Sequence, residues 1–157
     1  MEKVEKILEI LKIMKETELW AAKYYDSCLI LCPDNEKDFF SKLSAEENKH
    51  FKYLSAITTS FLKNPGHFEL NEAFDTPSAK KIIASVKDSI RRIQNWELKY
   101  AELLKIADEL ENSIIEHDYD KVLKTEQQEH RNLLNEISKD TFRHRKLIEE
   151  KIQKAPK

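Results

Sequence analysis

Apolar residues recur at intervals of three and four along most of this chain, the spacing that gathers them on one face of an α-helix. The pattern is interrupted by a short turn at residues 33–35, an irregular stretch over residues 64–77, and a weaker break near residues 111–118. Four helices are therefore predicted, over residues 2–31, 36–63, 78–111 and 117–138.

The lengths of the connections predict how these helices are arranged. Tight turns join the first helix to the second and the third to the fourth, so each pair is expected to form an antiparallel hairpin. The connection between the hairpins, about 13 residues, is long enough to travel the length of a bundle. The predicted fold is an all-α antiparallel four-helix bundle over residues 1–138, two hairpins joined by a long crossover. Residues 139–157 are predicted to form a short C-terminal helical extension or tail.

Composition supports a helical fold and narrows the function. The chain has 157 residues, a single glycine and a formal net charge of −2, with both signs of charge mixed along its length. One glycine does not supply the turns of a many-stranded β protein or a phosphate-binding loop. We expect neither nucleic acid nor a membrane as a partner, because no basic block and no long apolar run is present.

The first residues lack the apolar region of a signal peptide, so a cytoplasmic location is expected. In that compartment Cys28 and Cys32 are expected to be reduced thiols. Their separation of four residues puts both on one helix face, where we expect them to pack in the core.

Each predicted helix carries polar residues near the middle of its apolar stripe. An unpaired buried carboxylate costs several kcal/mol, so such a group must be paired, protonated or bound to a metal. If the four interruptions lie at one level of the bundle, they form a layer of donors that suits iron, manganese or zinc. The candidate metal ligands are Glu18, Glu47, His50, Glu97, Gln127 and His130.

The two halves of the chain repeat this arrangement. The separation is 29 residues from Glu18 to Glu47 and 30 residues from Glu97 to Gln127, and a histidine follows three residues after the second member of each pair. In an antiparallel hairpin of long helices, a separation of about 30 residues brings the two helix centres side by side. The repeat therefore predicts two hairpins that face each other across one polar layer.

With these motifs the chain resembles the rubrerythrin branch of the ferritin-like superfamily over roughly residues 4–138. In that family each hairpin supplies a Glu from one helix and a Glu-x-x-His from the next, and the set binds two irons. The resemblance implies Glu18, Glu47, His50, Glu97 and His130 as ligands of two irons per chain. It also implies a homodimer, and an oxidoreductase that reduces O₂ or peroxide with electrons from a separate donor protein.

The departure from the family pattern is Gln127, an amide where the family has its fourth carboxylate. Glu126 is a candidate substitute ligand, since residues 126 and 130 share a helix face. Glu111 falls in the same heptad register as Glu97, but we expect it to lie near a turn and to be a poor ligand. His144 is predicted to lie in the solvated tail.

Two other interpretations remain open. In the first, which Gln127 favours, the chain is a ferritin-like scaffold with a degenerate site that holds a single ion such as zinc, or none, and serves as a non-catalytic binding module. In the second, the chain is a plain helical bundle whose polar layer only fixes the register of its helices.

Overall fold

The structure is a computed structural model that describes residues 2–154, and it is almost entirely helical. Its helices are α1 (Glu2–Cys28), α2 (Lys37–Lys63), α3 (Thr76–Gln94), α4 (Tyr100–Glu116), the single turn α5 (Tyr119–Val122) and α6 (Gln128–Lys154). Two short strands, β1 (Phe68–Leu70) and β2 (Leu123–Thr125), pair antiparallel, and 3₁₀ turns span Asp34–Glu36 and Pro65–His67. The predicted all-α class is confirmed, but five long helices and a β-ribbon are more than the four helices expected.

The long helices pack in two groups around one apolar core. α1 lies against α2 on one side and α3 on another, while α4 packs along α6 and α6 also contacts α2. Fully buried side chains such as Leu11, Leu54, Leu103 and Leu134 come from all four of the helices α1, α2, α4 and α6. Each such side chain contributes about 1.5–3 kcal/mol when it leaves water. These four helices therefore share the main core.

The prediction of one helix over residues 78–111 is wrong, because the chain turns between α3 and α4. The backbone N–H of Glu97 donates to the carbonyl of Arg92 at 2.9 Å, and the N–H of Trp96 donates to the carbonyl of Ile93 at 3.0 Å. These two bonds form a Schellman motif, which needs a left-handed residue that is usually glycine. Here that residue is Trp96, with φ of 58°. The turn carries no glycine, so the sequence gives no signal for it.

The last helix also differs from its prediction. The expected helix over residues 117–138 is replaced by α5, β2 and the first part of α6. The predicted boundary at residue 138 falls inside α6, which continues to Lys154 and buries Thr141, His144 and Ile148 in its second half. Residues 155–157 of the predicted tail lie outside the described residues.

Two smaller expectations can be compared with the structure. Cys28 and Cys32 are buried in the main core, as predicted, but α1 ends at Cys28, so Cys32 follows the helix and does not share its face. Among the helices of residues 2–154, none combines the length and the apolar character that a membrane crossing requires.

The turn at Trp96 generates a prediction about stability. Trp96 is 72% exposed, so its side chain contributes little packing, while its left-handed backbone is strained for any residue with a Cβ atom. Replacing it with glycine (W96G) should raise the free energy of unfolding by about 0.5–1 kcal/mol, as measured by urea denaturation.

The matched control is Asn95→Gly in the same turn. Asn95 has φ of −94°, so glycine there relieves no strain and only adds freedom to the unfolded chain. A loss of stability is expected for this variant. If both variants shift the denaturation midpoint in the same direction, the turn does not have the conformation described.

Candidate metal centre

Three of the side chains predicted from the first hairpin meet at the centre of the protein. Glu18 of α1 and both Glu47 and His50 of α2 have side chains that are 0% exposed. Nδ1 of His50 lies 3.7 Å from Oε1 of Glu18 and 3.5 Å from Oε2 of Glu47. Two carboxylates and one imidazole therefore face each other without solvent between them.

The second half of the cluster comes from Glu111 of α4 and His144 of α6, which are also 0% exposed. Nδ1 of His144 lies 3.0 Å from Oε1 of Glu47 and 3.5 Å from Oε1 of Glu111. The ring of His144 stacks on that of His50, with centroids 6.1 Å apart. Tyr25 donates a hydrogen bond of 2.6 Å to Oε1 of Glu111. Glu47 is thus the carboxylate that both histidines approach.

Several polar atoms of this cluster have no hydrogen-bond partner among residues 2–154. Unpaired buried donors and acceptors are rare in proteins, and the binding of an ion is one of the standard reasons for them. Carboxylate oxygens and imidazole nitrogens are the donors that first-row divalent metals prefer. The unpaired atoms are Oε1 and Oε2 of Glu18, Oε2 of Glu47, Oε2 of Glu111 and Nδ1 of His50.

The cluster divides into two overlapping groups that can each hold a metal ion. One group is Glu18, Glu47 and His50, and the other is Glu47, Glu111 and His144. Within each group, one ligand atom per residue lies within 4.8 Å of the others. Glu47 belongs to both groups, so the two groups share one carboxylate.

Each histidine is oriented by an acidic residue from the opposite helix. Nε2 of His50 on α2 is 2.8 Å from Oδ2 of Asp140 on α6, and Nε2 of His144 on α6 contacts Oε2 of Glu46 on α2. Arg143 donates hydrogen bonds to both acids, at 2.6 Å to Glu46 and 3.1 Å to Asp140. With each Nε2–H donating outward, each Nδ1 is directed at the central carboxylates, as in carboxylate–histidine–metal arrangements.

Burial and mutual charge shift the pKa values in opposite directions. Burial, and then the charge of Glu47, raises the pKa values of Glu18 and Glu111. Burial also acts to raise the pKa of Glu47, but the contact of its carboxylate with His144 and the proximity of His50 outweigh it and lower that pKa. Burial acts to lower the pKa values of His50 and His144, and the facing carboxylates outweigh it and raise both. Positive charge is thus favoured around Glu47.

Two acidic candidates from the sequence lie outside this cluster. Glu97 is in the turn between α3 and α4, where its side chain is 47% exposed and lies 3.9 Å from Arg91 and 3.8 Å from Arg92. The break after α3 removes it from the level at which a continuous helix would have held it. Glu126 is exposed in the turn that precedes α6.

Gln127 directly precedes α6 and His130 lies in its first turn, about four helical turns before His144. The side-chain carbonyl of Gln127 accepts a hydrogen bond of 3.0 Å from Ser60, and its amide nitrogen is 3.4 Å from Nδ1 of His67. The half-buried ring of His130 packs against Phe68, with ring centroids 6.0 Å apart. Both residues therefore contact the region near β1 rather than the metal-capable cluster.

A shift of 14 residues relates the predicted second half of the site to the residues that α4 and α6 contribute to the buried cluster. Fourteen residues are two heptads and almost four helical turns, so the shift preserves the helix face and changes only the level along the bundle. The prediction that His144 is solvated is wrong, since its side chain is 0% exposed, and Glu111, which was expected to lie near a turn, is buried within α4. The shift takes Glu97 to Glu111, Gln127 to Thr141 and His130 to His144.

One sequence signal distinguishes the two levels. Residues 46–50 and 140–144 both place an acidic residue four positions before the histidine and a basic residue directly before it. The basic residues are Lys49 and Arg143, whereas the residue directly before His130 is Glu129. A segment with an acid four positions before the histidine and a base directly before it is therefore the one whose histidine faces the buried cluster.

Comparisons with protein-family models, with curated proteins and with solved structures return no match to this chain. The geometry of the buried cluster is therefore the basis on which a function can be proposed.

The raised pKa of Glu18 generates a prediction for the metal-free protein. A buried acid whose pKa is raised destabilises the folded state wherever the unfolded chain is ionised, that is, above the usual value of 4.5. Replacing Glu18 with neutral glutamine (E18Q) should therefore raise the free energy of unfolding at pH 8 by about 1–3 kcal/mol. Chemical denaturation in the presence of a chelator measures this difference.

The stabilisation by E18Q should disappear near pH 4, where Glu18 is protonated in both the folded and the unfolded state. Glu9→Gln, on an exposed position of the same helix, is the control and should change stability by less than about 0.5 kcal/mol at either pH. An equal gain at pH 4 and pH 8 would show that the charge of Glu18 is not its cause.

Proposed function

We propose that this protein binds two metal ions in the buried cluster, one held by Glu18, Glu47 and His50, and the other by Glu47, Glu111 and His144. The observation that carries the proposal is the set of buried carboxylate and imidazole groups that converge from four helices, with several of their atoms on α1, α2 and α4 left without a hydrogen-bond partner. In this proposal α1, α2, α4 and α6 form a ferritin-like four-helix bundle, and α3 is an additional helix on the outer side of α1.

Iron is the metal that we propose, with rubrerythrin-like redox chemistry. The mixture of carboxylates and imidazoles suits iron, and the Glu of α1 with the Glu-x-x-His of α2 resembles the rubrerythrin pattern. Bound iron would supply one-electron chemistry toward O₂ or peroxide, with electrons from a separate donor protein.

The chain's own residues prepare the site for that chemistry. Glu47 would contribute a ligand to both sites, while Asp140 and Glu46, which contact Nε2 of His50 and of His144, would favour the tautomer that leaves Nδ1 free to bind a metal. The apolar layers on both sides exclude water, which strengthens the electrostatic interactions within the site. A homodimer is the assembly that we propose from the same resemblance.

A second candidate function is a non-catalytic module that holds one ion, such as zinc. Thr141 favours it, because this residue occupies the position in α6 that corresponds to Glu47 in α2. Its hydroxyl already donates to the carbonyl of Ile137 at 2.7 Å. The cluster therefore has three carboxylates, which is fewer than a symmetric pair of Glu and Glu-x-x-His motifs provides.

Metal stoichiometry tests these proposals directly. The purified protein is loaded with Fe²⁺ under anaerobic conditions, desalted, and analysed for metal per chain by elemental analysis. We expect two irons per chain and an absorbance change when air is admitted. One ion per chain without an absorbance change would support the non-catalytic module, and no bound ion would contradict both functions.

Two glutamate variants distinguish metal binding in the buried cluster from metal binding by the residues expected from the sequence. Glu111→Ala removes a ligand of one ion and should lower the stoichiometry to one iron or fewer. Glu97→Ala is the matched control in the turn before α4, where the side chain is 47% exposed and lies near Arg91 and Arg92, and it should retain two irons. The reverse result would show that the cluster does not bind the metal. Circular dichroism checks that both variants are folded.

The acids that orient the histidines provide a further prediction. Asp140→Ala removes the acceptor for Nε2 of His50 and should weaken metal affinity by about ten-fold or more, as measured by competition with a chromophoric chelator. Asp88→Ala, which removes an exposed partner of Arg91 on α3, should leave the affinity unchanged. Equal affinities for the two variants would contradict an orienting role for Asp140.

A further inference from the structure

The proposed metal centre is closed to solvent, so ions need a route through the protein to reach it. The side chains of all five proposed ligands are 0% exposed. Among residues 2–154, three side chains outside that set form a hydrogen bond or an ion pair with a ligand: Tyr25, Asp140 and Glu46. Tyr25 is fully buried, whereas Asp140 is 13% exposed and Glu46 is 26% exposed. The polar contacts of the centre therefore reach solvent between α2 and α6.

Arg143 bridges the two acids at this place. One nitrogen of its guanidinium, Nη2, donates to Oε1 of Glu46 at 2.6 Å and to Oδ1 of Asp140 at 3.1 Å. This nitrogen occupies the position between two carboxylates that any small cation would favour. The side chain of Arg143 is 49% exposed, and ion pairs of exposed side chains contribute little to stability. Arg143 can therefore turn into solvent at a small cost in free energy.

The two imidazoles connect these outer acids to the buried carboxylates. Each ring has its Nε2 atom against one of the outer acids. Its Nδ1 atom lies on the side of Glu47, at 3.5 Å from Oε2 for His50 and at 3.0 Å from Oε1 for His144. Donor atoms that suit a divalent cation are thus present at each stage between the surface and the cluster. An ion that moves along this path exchanges one ligand for the next, which avoids the large cost of an unpaired charge in the interior.

We propose that metal ions enter and leave the centre between α2 and α6, past Glu46 and Asp140, and that Arg143 closes this route. The inference rests on the proposed function, since it requires that the cluster binds metal. With Arg143 in place, its guanidinium fills the space between the two acids and repels an approaching cation. When Arg143 turns into solvent, the two carboxylates attract the cation instead. Arg143 therefore controls the rate at which the centre is loaded and unloaded, while the five ligands set the number of ions held.

Rapid mixing with Co²⁺ tests this route without measuring activity. The metal-free protein is mixed with excess Co²⁺, and the growth of the visible absorption of bound cobalt gives the rate of association. The loaded protein is then mixed with EDTA to obtain the rate of dissociation, and elemental analysis gives the metal per chain. Arg143→Ala should accelerate association by about five-fold or more, because it removes a positive charge from the route. It should also accelerate dissociation and retain two ions per chain.

Arg145→Ala is the matched control on the same helix. It removes the same charge two residues later, from a side chain that is 40% exposed and lies 3.8 Å from Asp108 of α4. The net charge of the protein changes equally in the two variants, so the long-range attraction of the cation is the same. Arg145→Ala should therefore keep both rates within about two-fold of the wild type. Circular dichroism checks that both variants are folded.

The two rates separate control of the route from a purely orienting role of Arg143. If Arg143 only held the acids that orient the histidines, its loss would accelerate dissociation and leave association unchanged. That result, or a loss of cobalt binding in Arg143→Ala, would overturn the inference and leave metal binding by the wild type intact. Equal acceleration in Arg143→Ala and Arg145→Ala would overturn it as well, because net charge would then be the cause. A wild type that binds no cobalt would refute the proposed function and the route together.

Discussion

The carboxylate of Glu47, fully buried between two imidazoles, is the interaction on which the rest of the structure depends. A charge so far from water is tolerated only where opposite charge or hydrogen-bond donors surround it. His50 comes from the same helix, but His144 has to be delivered by α6, and Glu18 and Glu111 have to be held nearby although they repel Glu47. This one carboxylate therefore determines how the four helices are positioned along their axes. The apolar layers provide the stabilisation that offsets the free-energy cost of burying it.

The irregular segments of the chain also help to place the residues that surround the buried Glu47. The turn at Trp96 ends α3 and lets α4 begin a new helix that packs on α6, and the pairing of β1 with β2 fixes the crossover to the start of α6. Without these two features a helix continuing from α3 would carry Glu111 elsewhere, and α6 would have no fixed starting point. A strained backbone residue and a three-residue ribbon thus determine where the second half of the cluster lies.

The first hairpin could be predicted from the sequence almost completely, and the second could not. In the first hairpin, one tight turn links two uninterrupted helices, so chain length alone aligns Glu18 with Glu47 and His50. In the second half, the heptad pattern identified the inward faces but not the level, because a shift of 14 residues leaves a helix face unchanged. The sequence has no glycine at Trp96 from which the break could be predicted. The position of the cluster along the bundle is set by contacts between residues distant in sequence, such as Asp140 with His50 and Arg143 with Glu46.

The exchange of partners between α2 and α6 has a mechanical consequence. Each histidine is held by an acid on the other helix. A sliding motion of α6 along α2 in either direction would therefore separate His50 from Asp140 and His144 from Glu46 at the same time. Arg143 links the two acids, so neither contact can relax independently of the other. The two halves of the cluster are therefore connected by one hydrogen-bonded network, so a displacement of one imidazole also affects the position of the other.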